Sequence, residues 1–212
     1  MATKIRPILL TLLIALTVSA ASDATWKPEL LPRSQETSEA LAACPTLIRA
    51  EAGVYVLTET GYDLLRPSQN GFNSIIGRTQ PDSFEPQCLD AEGSSTLLHQ
   101  ILMRGRLQMQ GLGREEIADR LETAWSRGDL QSPSRPGINY MLSERNRVPI
   151  GPETVIPYQP HVMFYAPHLT NTDLGGSMQG ESPVFVINEG KPYAYVIVPV
   201  ATDQDSAHTD AP

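Results

Sequence analysis

The order of strand-type and helix-type segments limits the possible folds of this chain more than any other feature of its sequence. Apolar residues recur at helical spacing over 98–109 and 117–125. Residues with strand preference fill segments on both sides of these helices: 54–78, 137–143, 161–166, 183–187 and 193–200. This order predicts an α+β domain with one antiparallel sheet of about five to seven strands and the two main helices packed on one face. PAS-like and profilin-like domains share the order in outline, a topological likeness that specifies no ligand.

Turn residues predict how these segments connect. Asn70-Gly71 is the pair that a two-residue hairpin prefers, so it predicts an antiparallel hairpin between the second and third strands. A further short helix is expected over 37–43, and Ser94 or Ser95 is the expected cap of the first long helix. Four prolines between 149 and 160 predict a loop that cannot join a central ladder.

The amino terminus has the three parts of an export signal. Lys4 and Arg6 precede an apolar run over 8–18, and small residues follow it. We therefore expect a cleaved signal peptide over 1–20, a linker or arm over 21–36, one domain over 37–201 and a disordered tail over 202–212. A retained membrane anchor is the alternative, but the run is about half the roughly 20 apolar residues that span a bilayer. The expected location is periplasmic or secreted, without a stable membrane anchor after cleavage.

The charge of the chain restricts its partners. The formal net charge is −8, and removal of the export segment would make it more negative by two, because that segment holds two basic residues and no acidic ones. A negative surface repels nucleic acid and anionic lipid, so neither is expected as a partner.

Two cysteines, Cys44 and Cys88, are present in a chain that is expected to meet an oxidising compartment. That context favours one disulfide bond between them. Two buried, reduced thiols are the alternative, since free cysteine packs as a small apolar residue.

The segment 160–168 holds the main catalytic candidates. Alternation along a strand places His161 and Tyr165 on one face and Phe164 on the other, while His168 and Asp173 fall in the loop that follows. These three polar residues, His161, His168 and Asp173, could form the centre of a hydrolase or a metal-dependent enzyme. The alternative is an ordinary central strand with a partly buried histidine and a loop histidine.

Ligand-binding candidates are weaker. Arg135 and Tyr140 could form an anion-binding corner at the mouth of a strand, and Tyr165 could reach a ligand at the end of its strand. An ordinary loop with a surface arginine is the alternative. An acidic group, Glu85, Asp90 and Glu92, is expected to form a solvated loop that leads into a helix. The sequence has neither a dinucleotide fingerprint nor a phosphate-binding loop nor a metal-ligand spacing, so no cofactor and no metal are expected.

Residues 137–143 and 160–167 resemble segments of exported bacterial proteins that have no established activity. The resemblance extends loosely over 44–200 and implies one exported bacterial domain without assigning a site. The favoured function is therefore an exported, non-catalytic domain that binds a small molecule or a protein partner. A deep apolar pocket would indicate a small molecule, whereas a surface without such a cleft would indicate a protein.

Overall fold

The computed structural model describes residues 25–176 and 184–200. The predicted signal peptide and the predicted disordered tail lie outside these residues. The helices are α1 (Arg33–Ala42), α2 (Thr46–Arg49), α3 (Ala91–Ser95), α4 (Leu98–Met109) and α5 (Arg114–Arg127). The strands are β1 (Gly53–Thr58), β2 (Gly61–Arg66), β3 (Asn73–Gly77), β4 (Glu85–Leu89), β5 (Ile138–Met141), β6 (Arg147–Gly151), β7 (Thr154–Pro157), β8 (His161–Tyr165), β9 (Phe185–Ile187) and β10 (Tyr195–Pro199).

The described residues form an α+β fold, as the sequence predicts, around one large sheet. Its strand order is β2-β1-β3-β4-β5-β8-β10-β9, and β6 and β7 form a separate two-stranded sheet. The prediction of five to seven antiparallel strands is wrong in two respects. The large sheet has eight strands, and β1 and β3 pair in parallel. The PAS-like or profilin-like outline is therefore not matched closely.

The hairpin predicted at Asn70-Gly71 does not form, because β1 lies between β2 and β3. The Asn70 side chain instead donates to the Ile48 carbonyl at 2.9 Å and accepts from the Phe72 N–H at 3.0 Å. Gly71 has a φ of 85°, the left-handed region that glycine tolerates. This Asn-Gly turn carries the chain past β1, so it changes direction without joining neighbouring strands.

Helices cover both faces of the sheet, whereas the sequence predicted helices on one face. Ile75 and Leu89 belong to the same apolar core as Leu98 on α4. The preceding strand residues point the other way, and Cys88 packs with Ala43 at the end of α1. β3 and β4 have apolar residues on both faces, which is typical of strands that are covered on both sides.

The acidic group predicted as a solvated loop is largely built into the fold. Glu85 opens β4, and both Glu85 and Glu92 are buried. Asp90 caps α3 by accepting from the Gly93 N–H at 2.9 Å. The cap predicted for the first long helix is wrong, because α4 begins after Leu97 and has no side-chain cap there. The proline-rich segment also differs from its prediction, because it forms β6 and β7 in a sheet of their own. Proline is tolerated there because both strands are edges.

The predicted disulfide bond joins Cys44 and Cys88, with Cα atoms 5.2 Å apart. It ties the chain just after α1 to β4 within a buried cluster. None of the helices in the described ranges is both long enough and apolar enough to pass through a bilayer.

Candidate interaction surface

His161 begins β8 and is buried, with 2% of its surface exposed. Its Nδ1 lies 2.9 Å from the Gln159 carbonyl oxygen, and its ring meets the Tyr158 ring edge-on at 4.9 Å. Burial lowers the pKa of His161, because the charged imidazolium loses hydration. These contacts make His161 a packed residue next to the β6–β7 sheet.

His168 and Asp173 lie beyond the other end of β8, and both are exposed. His168 Nδ1 is 3.2 Å from the Gly190 carbonyl oxygen. The Asp173 carboxylate accepts from the Thr170 hydroxyl and N–H, and these bonds lower the pKa of Asp173. The five residues of β8 span about 13 Å, so the strand separates His161 from the other two candidates. Within the described ranges, no three His, Cys, Asp or Glu residues are grouped so that they could hold a metal ion.

Tyr165, a ligand-binding candidate, is part of an internal hydrogen-bonded junction. Its hydroxyl lies 3.0 Å from Asp90 Oδ1 and 2.8 Å from the Ile138 carbonyl oxygen, and burial raises the pKa of Tyr165. The ring packs against Gly93 and Gly137, where an added Cβ would meet it at 1.9 and 2.5 Å. The junction joins α3, β5 and β8.

Arg135 and Tyr140 do not meet in a corner. Arg135 Nε donates to the Glu92 carboxylate at 2.8 Å. Hydrogen bonds from the Ser134 N–H and from Arg135 lower the pKa of Glu92. The Tyr140 ring packs against Phe72, with centroids 6.2 Å apart. Both side chains therefore have partners within the domain.

Two open grooves lie elsewhere on the described surface. The larger, of about 620 Å³, has Phe84 beside Arg78 and Arg145, whose guanidinium carbons lie 5.8 and 5.2 Å from the ring centroid. Both arginines are already ion-paired, Arg78 with Glu36 and Arg145 with Glu39. The smaller groove, of about 440 Å³, lies between the β1–β2 turn, α4 and the end of α5. Neither has the enclosed apolar shape of a typical small-molecule site.

The most distinctive surface is a set of apolar residues on the α1 side of β5, β8 and β10, which we call the open face. Phe164 pairs with Ile138 on one neighbour and with Val196 on the other. Val162 pairs in the same way with Tyr140 and Val198. The next alternate positions are also apolar, and the Val200 N–H donates to the Pro160 carbonyl at 3.0 Å. The open face therefore comprises Ile138, Tyr140, Leu142, Pro160, Val162, Phe164, Val196, Val198 and Val200.

None of these nine residues is buried: Phe164 and Val200 are exposed, at 46% and 37%, and the other seven are half-buried. On the opposite side of the same strands, Met141, Met163 and Ile197 are buried in one cluster. In the part of the chain that the structure describes, the three strands therefore carry apolar residues on both faces, and only one face is buried.

The open face continues directly from a covered region. α1 packs over β1, β3 and β4 on the same side of the sheet. Tyr140 belongs both to the open face and to the cluster around Cys44 and Cys88. The Leu142 N–H donates to the Ala43 carbonyl at 3.3 Å, which places the end of α1 at its border.

Comparison of the chain with protein-family models, with curated proteins and with solved structures gave no match.

Sequence reasoning concentrated on polar residues and missed this surface. The available signal was the strand at 160–165, where both alternating sets contain large apolar residues. The segment 194–200 shows the same double pattern. Such strands are normally covered on both faces. The sequence cannot indicate which face the rest of the chain leaves uncovered.

Proposed function

We propose that this protein is an exported, non-catalytic domain that binds a protein partner through the open face. The observation that carries the proposal is a continuous apolar surface of nine residues, six on the paired strands β5, β8 and β10 and three just beyond the strand ends, none of which is buried. Monomeric soluble proteins rarely expose large contiguous apolar patches unless the patch has a partner.

Energetics favour a covered state for this surface. Removing apolar area from water contributes roughly 25 cal/mol per Å², and association gains this term without the cost of folding a new core. The sheet is already ordered by the core on its other side, so little conformational entropy is lost when a partner docks. The open face is therefore a preformed binding surface.

The two grooves support a small-molecule ligand less well. The arginines beside Phe84 already pair with Glu36 and Glu39, and neither groove is enclosed. An enzymatic function centred on His161, His168 and Asp173 also has less support, because acid–base partners must lie within hydrogen-bond reach. A binding domain does not require His161, His168 and Asp173 to lie close together.

Export is the second part of the proposal. The amino-terminal pattern of Lys4, Arg6 and the apolar run supports it, as does the Cys44–Cys88 disulfide bond, because such bonds persist in oxidising compartments. Amino-terminal sequencing of protein purified from its source cells should begin at Ala21. A protein that begins at Met1 or Ala2 and is recovered from the cytoplasm would contradict export.

The binding function is tested by photo-cross-linking in the source cells. Replacing Phe164 with p-benzoylphenylalanine places a cross-linker on the open face with an aromatic side chain of similar character. Leu64 on β2 is the matched control, because it is 49% exposed against 46% for Phe164. We expect a discrete cross-linked protein species from position 164 and none from position 64.

Equal cross-linking from both positions, or none from either, would contradict the proposal. A denaturing gel followed by mass spectrometry identifies the species. Thermal unfolding of each variant, in comparison with the unmodified protein, checks that both are folded.

A further inference from the structure

We infer that the partner contributes a basic amphipathic α-helix, which lies over β5, β8 and β10 beside α1. This inference rests on the proposed function and names the partner's structure and charge. Three observations carry it: the width of the open face, its border with α1 and the net negative charge of the whole chain.

The covered half of the sheet shows what fits on this side. One helix, α1, packs over three strands, β1, β3 and β4. The open face also spans three strands, whose outer axes lie about 10 Å apart at the usual strand spacing. An α-helix with its side chains is about 10–12 Å wide, so one helix fits this width.

The border with α1 favours the same occupant. The Ala43 carbonyl accepts from the Leu142 N–H, so the helix layer ends at the edge of the open face. Tyr140 already packs in the cluster below this end of α1. A partner helix would continue the existing layer, and its apolar residues would contact the rows formed by Phe164 and Val162.

The net charge of the chain indicates which charge the polar face of that helix carries. The whole chain has a formal net charge of −8. Lysine and arginine on the partner would be attracted, whereas a second copy of this chain would carry the same negative charge and be repelled.

The test uses two synthetic peptides of the same leucine and lysine composition, each about 14 residues long. One has leucine at helical spacing, and the other has leucine at every second position, the pattern of a strand. Fluorescence anisotropy measures their binding to the full chain, and circular dichroism follows helix formation. We expect the helical peptide to bind at least about tenfold more tightly than the alternating one.

Two variants locate the binding. The double substitution Phe164→Thr with Val198→Thr keeps strand-forming side chains and should weaken binding of the helical peptide at least about tenfold. Leu64→Thr is the matched control and should leave binding unchanged. Higher salt should weaken binding, because it screens the lysines.

The inference is overturned if the alternating peptide binds as well as the helical one, if neither binds, or if the double variant binds like the unsubstituted protein. A concentration-dependent dimer in sedimentation that the double variant abolishes would assign the face to a second copy. Failure here together with specific cross-linking from position 164 leaves the partner-binding function standing and rejects only the helix. Loss of both results rejects the function itself.

Discussion

The α1 side of the large sheet has two three-stranded regions, a covered half and an open half, that differ in what covers them. Over β1, β3 and β4, α1 packs against the sheet, and the Cys44–Cys88 bond ties the chain just after α1 to β4. Over β5, β8 and β10, nine apolar residues face outward and none is buried. The covered half is buried under α1, whereas the open half has a similar apolar pattern whose residues are partly or fully exposed.

This difference indicates that the two halves have different roles. The covered half supplies stability through a disulfide bond, a buried ion pair and close packing of small residues. The open half contributes little to folding on its outer side, so its apolar residues have a different use. If this comparison holds, substitutions in the covered half should destabilise the fold, whereas substitutions on the open face should affect binding.

Loss of the disulfide bond should have the largest effect. The bond closes a loop with a sequence separation of 44, for which chain entropy gives about 4 kcal/mol. The double substitution Cys44→Ala with Cys88→Ala should lower the free energy of unfolding in urea by about that amount. Reductant should then have no further effect on the variant. An unchanged urea midpoint would show that the covered half does not depend on its covalent tie.

The buried ion pair should follow. Arg78 donates to both carboxylate oxygens of Glu36 at 2.9 and 2.7 Å, and both side chains are almost fully buried. Glu36→Ala leaves a buried guanidinium without its partner and should cost about 3 kcal/mol. Glu116→Ala, which breaks an exposed pair with Arg120, should cost less than about 1 kcal/mol. If the two variants lost the same free energy of unfolding in urea, the buried pair would not stabilise the fold more than the exposed one.

Two adjacent residues on β8 allow the two faces of the sheet to be compared directly, because their side chains point to opposite sides. Met163 is buried and Phe164 is 46% exposed. Met163→Ala should lower the free energy of unfolding by about 3 kcal/mol, because it leaves a cavity. Phe164→Ala should lower it by about 1 kcal/mol or less, since half of the ring is already in water. A larger loss for Phe164 would mean that the open face is part of the folding core.

The smallest effect should be the pH dependence of stability contributed by His161, on the buried side of β8. Burial lowers the pKa of His161 in the folded state below about 6.5, its value in the unfolded chain. The unfolded chain then binds the proton more readily, so stability is complete above about pH 6.5 and falls as the pH decreases. The free energy of unfolding should fall by on the order of 1 kcal/mol between about pH 7 and pH 5.5. His161→Gln should remove this pH dependence. His168→Gln, in the exposed loop, is the control and should keep the dependence.

Part of this architecture could be read from the sequence. The helices at 98–109 and 114–127 follow from apolar spacing, and Gly128 ends the second in the left-handed conformation. The β9–β10 hairpin and the disulfide bond were also predictable. β4 was missed because Glu85, Pro86 and Gln87 are not typical strand residues, although all five positions of β4 are buried by the neighbouring elements. The parallel pairing of β1 with β3 was missed because the Asn-Gly pair also serves turns that are not hairpins.

The site was harder to predict than the fold. Histidine and tyrosine drew the functional hypotheses to one face of β8, where packing uses them. The open face is defined by cross-strand pairs from three distant segments, around residues 140, 162 and 198, so its continuity exists only in the assembled sheet. Local alternation shows that both faces are apolar, but tertiary packing decides which one stays uncovered.

Hydroxyl-radical footprinting tests the central claim most directly. It compares oxidation of Phe164, Tyr165 and Leu64 in the purified protein and in the native extract of its source cells. We predict that Phe164 is oxidised in the purified protein and protected in the extract, while Leu64 is oxidised in both and the buried Tyr165 in neither. Equal oxidation of Phe164 in the two samples would mean that the open face has no partner.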